Sequence, residues 1–73
     1  MARYLVATRR DLRGSDDVPT ALDAVRTEPG IRIVAETDPQ MVTIEASATD
    51  ADRLRAKLAK THFVEAEVRR SLH

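Results

Sequence analysis

Two acids at strand spacing, Glu65 and Glu67, are the residues of this chain whose types and positions most suggest chemistry. They lie in Val64-Glu65-Ala66-Glu67-Val68, where an extended backbone puts Val64, Ala66 and Val68 on one face and both carboxylates on the other. A fixed carboxylate pair on an open sheet face is either solvated or meets something positive. A helix N-terminus of another protein, with its unsatisfied amides and positive dipole end, is such a partner. The segment 69–73, Arg69-Arg70-Ser71-Leu72-His73, follows as a C-terminal tail able to leave the sheet.

Other catalytic groups are sparse. The serines are Ser15, Ser47 and Ser71, none in a nucleophile-elbow context, and the histidines are His62 and His73. His73 ends the sequence, where a rigid general base is not expected. His62, beside Phe63, reads as a structural residue at a helix end or in a loop. With no cysteine there is no thiolate metal site and no disulfide framework. No catalytic residue, metal or cofactor is expected.

Composition narrows the partners. Twelve basic and twelve acidic side chains cancel, so no global field draws the chain to nucleic acid or an acidic membrane. Tyr4 and Phe63 are the only aromatics, too few for a sheet that stacks bases. No apolar run reaches membrane-spanning length, and Met1-Ala2-Arg3-Tyr4 leads into a strand pattern rather than a signal peptide. The expectation is a soluble, cytoplasmic chain of 73 residues forming one domain near the lower size limit for a single core.

The elements that must position these groups follow from periodicity. Residues 2–9 form a strand, apolar at both Tyr4/Val6 and Leu5/Ala7, so either set could face the core. Val18 to Glu28 carries Val18, Ala21, Leu22 and Val25 at helical spacing, with Pro19 in the first turn and Pro29-Gly30 as the stop. Residues 31–36 alternate with Ile31, Ile33 and Ala35 on one side. Thr37-Asp38-Pro39-Gln40 makes a turn, and residues 41–46 alternate with Val42, Ile44 and Ala46 together. Thr49 with Asp52 predicts the cap of a second helix, whose inner stripe is Ala51, Leu54 and Leu58. The last strand begins at Phe63.

The order strand, helix, strand, strand, helix, strand specifies an α+β, ferredoxin-like βαββαβ sandwich. Its four-stranded antiparallel sheet has two helices on one face, the first and third strands central and the last at an edge. The other face is free to bind. Several functions of such a sandwich can be tested against residues. Arg53, Arg55, Lys57 and Lys60 could form a phosphate-binding helix face or an ordinary solvated one. Arg9-Arg10-Asp11-Leu12-Arg13-Gly14 has arginines but not the glycine spacing that lets amides converge on an acyl phosphate. Met41, Thr43 and Glu45, on the open face of the third strand, do not make an RNA platform. An ACT-like ligand-sensing or dimerisation domain stays open, since such domains carry weak sequence marks.

The segments Tyr4-Leu5-Val6-Ala7, Gly30-Ile31-Arg32-Ile33-Val34, Met41-Val42-Thr43-Ile44-Glu45-Ala46 and Phe63-Val64-Glu65-Ala66-Glu67-Val68 with a short tail together resemble the subtilisin propeptides and fungal proteinase B inhibitors. The resemblance spans nearly the whole chain; its most informative motif is valine, acid, any residue, acid in the last strand. It implies a non-enzymatic inhibitor, or folding assistant, of a subtilisin-like serine protease. The open sheet face would pack on two parallel protease helices, Glu65 and Glu67 would cap them, and Arg70-Ser71-Leu72-His73 would lie in the active-site cleft like a product. The chain departs from the family's usual apolar preference at Arg70, and His73 is an unusual final residue. A monomer or weak dimer is expected.

Overall fold

The computed structural model describes residues 2–67; the tail 69–73, and with it Arg70, Ser71, Leu72 and His73, lies outside the described residues. The elements are β1 (Ala2–Thr8), α1 (Ala21–Arg26), β2 (Arg32–Asp38), β3 (Met41–Ala46), α2 (Ala48–Leu58) and β4 (His62–Ala66), with a 3-10 turn at Arg10–Leu12. The sheet is antiparallel in the order β2-β3-β1-β4, so the ferredoxin-like arrangement holds, with β1 and β3 central and β4 at an edge.

Alternation decides which set of β1 faces the helices: Tyr4, Val6 and Thr8 are buried there. They meet Val42, Ile44 and Ala46 of β3 and Val64 of β4. Ala21 and Val25 of α1 and Ala51, Leu54 and Leu58 of α2 close this core from one side. Full burial stabilises each of the larger side chains by about 1.5–3 kcal/mol, so a few residues hold this small domain together.

Both helix starts differ from the sequence reading. In α1 the Thr20 hydroxyl accepts from Asp23 N at 3.1 Å, which makes Thr20 the N-cap and leaves Val18 and Pro19 outside the helix. In α2 the cap is Ser47 rather than Thr49. Asp50 N donates to Ser47 Oγ at 3.1 Å, and Ser47 Oγ donates to Asp50 Oδ2 at 3.0 Å. Ser47 wins because it is the first residue beyond β3, already extended, with an acid three residues on.

β2 also departs from simple alternation. Register shifts fall between Ile33 and Ala35 and between Glu36 and Asp38. Ile33 therefore faces the helices opposite Ile44, whereas Ala35 stands opposite Thr43 on the other face and is exposed. The second shift sits next to the Pro39-Gln40 turn, where Gln40 N donates to Asp38 Oδ1 at 2.7 Å. No described residue other than glycine has a positive φ, so the turn is not of the primed type that suits a two-residue hairpin. The irregularity beside it absorbs the mismatch in twist.

Gly30 ends the loop after α1 at φ +77°, a region that a side chain disfavours. That loop is fastened to α2: Arg53 Nη2 donates to Pro29 O at 3.2 Å, and Lys57 pairs with Glu28.

Candidate functional site: the open sheet face and its edge

The face away from the helices is organised in rows that run across all four strands. Residues directly opposite one another in the register are Ala7, Met41 and Phe63, with Asp38 on β2 completing that row. The next contains Ala35, Thr43, Leu5 and Glu65. In the last, Arg32 and Arg3 both stand opposite Glu45, and Glu67 N donates to Arg3 O at 2.9 Å, continuing the β1–β4 ladder by one pair. Across the sheet that row reads Arg32, Glu45, Arg3, Glu67. Its charges alternate, and Glu45 lies 3.6 Å from Arg3 and 3.9 Å from Arg32.

Glu65 on β4 and Glu67, the residue just past its end, are both exposed and fall by the register on the open-face side. Among the described residues neither enters an ion pair. Phe63, two residues before Glu65 on the same side, is 51% exposed and lies under the Arg9 guanidinium, 5.7 Å from ring centroid to Cζ. The β4 side of the face thus presents an aromatic ring followed by two carboxylates.

The outer edge of β4 is partly occupied. Arg55 Nε donates to Val64 O at 3.0 Å while its Nη1 holds Asp52 at 2.9 Å. A side chain from α2 has taken an acceptor that another strand would need, a way to blunt a sheet edge.

The other residues weighed for chemistry have structural roles. His62 is the first residue of β4 rather than a helix end or loop, and it is 3% exposed. Its Nε2 donates to Pro19 O at 2.9 Å, which fixes the neutral tautomer, so Nδ1 accepts from the Thr61 hydroxyl at 2.6 Å. Burial lowers its pKa from 6.5, and the bond to Pro19 O opposes that shift. Beside it across the strands, Thr8 Oγ1 is buried with no hydrogen-bond partner among the described residues.

All three basic residues of α2 are engaged, and Lys60 lies beyond the helix: Arg53 holds Asp50 at 2.7 Å, Arg55 holds Asp52, and Lys57 holds Glu28. After β1, the amides of Leu12, Arg13 and Ser15 bond to Arg9 O, Arg10 O and Leu12 O. They close turns instead of converging on an anion. Among the described residues no group of His, Asp and Glu side chains is placed to hold a metal, and no helix is long and apolar enough to cross a membrane.

No family model, curated protein or solved structure matches this chain.

Of the sequence-derived site, the structure has Glu65 on the edge strand and Glu67 directly after it, both on the open face. The reading from sequence missed Phe63 with Arg9, the alternating charge row and the Arg55 clasp. Arg3, Arg32 and Glu45 sit at outward positions of their own strands, which was a usable signal; their alignment required the register.

Proposed function

We propose that this chain is a cytoplasmic, trans-acting inhibitor of a subtilisin-like serine protease, or an assistant in its folding, and not itself an enzyme. The observation that carries the reading is the uncovered β4 side of the open face, where Glu65 and Glu67 project beside an exposed Phe63. Two strand residues on one face are about 7 Å apart, and packed helices lie about 8–10 Å apart. A Glu side chain spans the difference, so one carboxylate can reach the N-terminus of each of two adjacent helices. Each would accept from amides that lack a partner within their own helix.

With Val64 O held by Arg55, a partner strand adding to the middle of β4 is disfavoured. Docking is then left to the face and to the chain beyond Glu67. Arg70-Ser71-Leu72-His73 would enter the substrate cleft as an extended product-like segment, gaining affinity from backbone hydrogen bonds.

The test is inhibition of a panel of subtilisin-like proteases by the full chain, by a chain ending at Arg69, and by Glu65→Gln/Glu67→Gln. The full chain should inhibit and the truncated one should not. The double amide variant should bind about tenfold or more weakly while melting at an unchanged temperature, since both side chains are exposed. Equal inhibition by full and truncated chains would refute the tail-in-cleft mechanism. A folded chain that inhibits no protease of the panel would sink the reading as a whole.

A further inference from the structure

The charge row on the open face is complementary to itself. Read across the sheet it runs positive, negative, positive, negative at Arg32, Glu45, Arg3 and Glu67. Two such faces can be stacked about a two-fold axis parallel to the strands or about one across them. The first places β4 of one copy over β2 of the other and β1 over β3. Arg32 then meets Glu67 of the second copy, and Arg3 meets its Glu45, so every charge in the row faces its opposite. The same operation sets Ala7 on Met41, Leu5 on Thr43, Glu65 on Ala35 and Phe63 on Asp38.

The axis across the strands lays each strand on its own copy. It would put Glu65 against Glu65 and set Phe63 and Met41 against acids of the charge row. Only the first operation pairs every charge of the row with its opposite and stacks no acid on an acid. Aligned sheets cross at about 30°, which displaces the ends of the row by a few ångström, within the reach of Arg and Glu stems.

We infer that the open sheet face binds a second copy of this chain, in a two-fold dimer whose register is set by Arg32–Glu67 and Arg3–Glu45 pairs between copies. The size of the face sets its strength. Four strands about 4.8 Å apart and some six residues long give roughly 400 Å² of projected face per copy. That is well below the ~800 Å² per partner of a stable complex, so the dimer is weak and concentration-dependent. Phe63, exposed at the margin, supplies the largest apolar side chain of the face, and the charge row at one end supplies orientation. The inference stands independently of any protease.

A charge-exchange experiment tests it by sedimentation equilibrium of the full chain from about 10 µM to about 1 mM, the range of weak association. Wild type should pass from monomer to dimer. Arg32→Glu alone places two acids in contact, and Glu67→Arg alone places two arginines in contact. Each should weaken self-association about tenfold or more. An equimolar mixture of the two variants should recover dimers, because every contact of the mixed pair is again between opposite charges. Both positions are exposed, and far-UV circular dichroism checks that each variant is folded. A chain monomeric throughout the range leaves the face to a different partner and overturns the inference. So does a dimer indifferent to both charge reversals, or one that the mixture fails to restore.

Discussion

Replacing Gly30 by alanine should be among the most damaging exposed substitutions in this domain, and its magnitude can be worked from two separable effects. The first is backbone strain: at φ +77° an L side chain raises the energy by about 1–2 kcal/mol. Alanine also restricts the unfolded chain, which returns about 0.4–1 kcal/mol. The second effect is steric. A Cβ on Gly30 would come within 2.8 Å of Asp50 Cγ. Asp50 cannot yield freely, because it accepts from the Ser47 hydroxyl and holds Arg53. Displacing it disturbs the α2 cap, worth about 1 kcal/mol, and the ion pair beside it.

Gly14 separates the two terms, having φ +82° but nothing within 4 Å of its added Cβ. Gly14→Ala should therefore cost only about 0.5–1 kcal/mol, and Gly30→Ala about 2–3 kcal/mol. By urea unfolding, with a slope of about 1 kcal/mol/M for a chain this small, the Gly30→Ala midpoint should fall by about 2–3 M. In an Asp50→Ala background the Gly30→Ala cost should shrink to the Gly14 value. Equal costs for the two glycines, or an excess that survives removal of the Asp50 carboxylate, would refute the reasoning.

His62 makes stability depend on pH. Its folded-state pKa lies below the unfolded value of 6.5, so above pH 6.5 both states are neutral and the full stability is present. As pH falls, the unfolded chain takes up the proton first and stability is lost until the folded pKa is passed. Unfolding free energy should decline as pH falls below about 6.5, and His62→Gln should flatten that decline; an unchanged slope would mean another group titrates there. Thr8→Val removes a buried hydroxyl that has no partner among the described residues and should raise the melting temperature by about 4–8 °C, the shift that goes with about 1 kcal/mol in a domain of this size. A fall on that substitution would show the hydroxyl bonded in solution.

The fold was legible because its strongest signals are periodic. Val42, Ile44 and Ala46 repeat every second residue, Ala51, Leu54 and Leu58 repeat at helical spacing, and each set is buried as its period requires. β2 was less legible: Ala35 faces away from the side its spacing from Ile33 implied, since a register shift leaves no mark in residue type. The α2 cap was misplaced by two residues because Ser47-Ala48-Thr49-Asp50 and Thr49-Asp50-Ala51-Asp52 are both capping patterns. Only the end of β3 chooses between them. Glu65 and Glu67 could be paired from sequence because they share one strand. The charge row could not, since it joins residues from all four.

That row also connects the two proposals for the open face. A protease and a second copy would compete for it, because both would contact the side of the sheet that bears Phe63 and Glu67. Only the unpaired chain is then competent to inhibit, and apparent affinity falls in proportion to the competent fraction. With about nine-tenths of the chains paired, inhibition weakens about tenfold. The single variant Arg32→Glu distinguishes this coupling from two unrelated surfaces. It lies on β2, at the far edge from Glu65 and Glu67, and should loosen the dimer while leaving the acid pair intact. At chain concentrations where wild type is mostly paired, the variant should therefore be the better inhibitor. At high dilution the two should be equal. An advantage that persists at dilution would place Arg32 in direct contact with the protease, and no advantage at any concentration would mean that pairing leaves the inhibitory surface free.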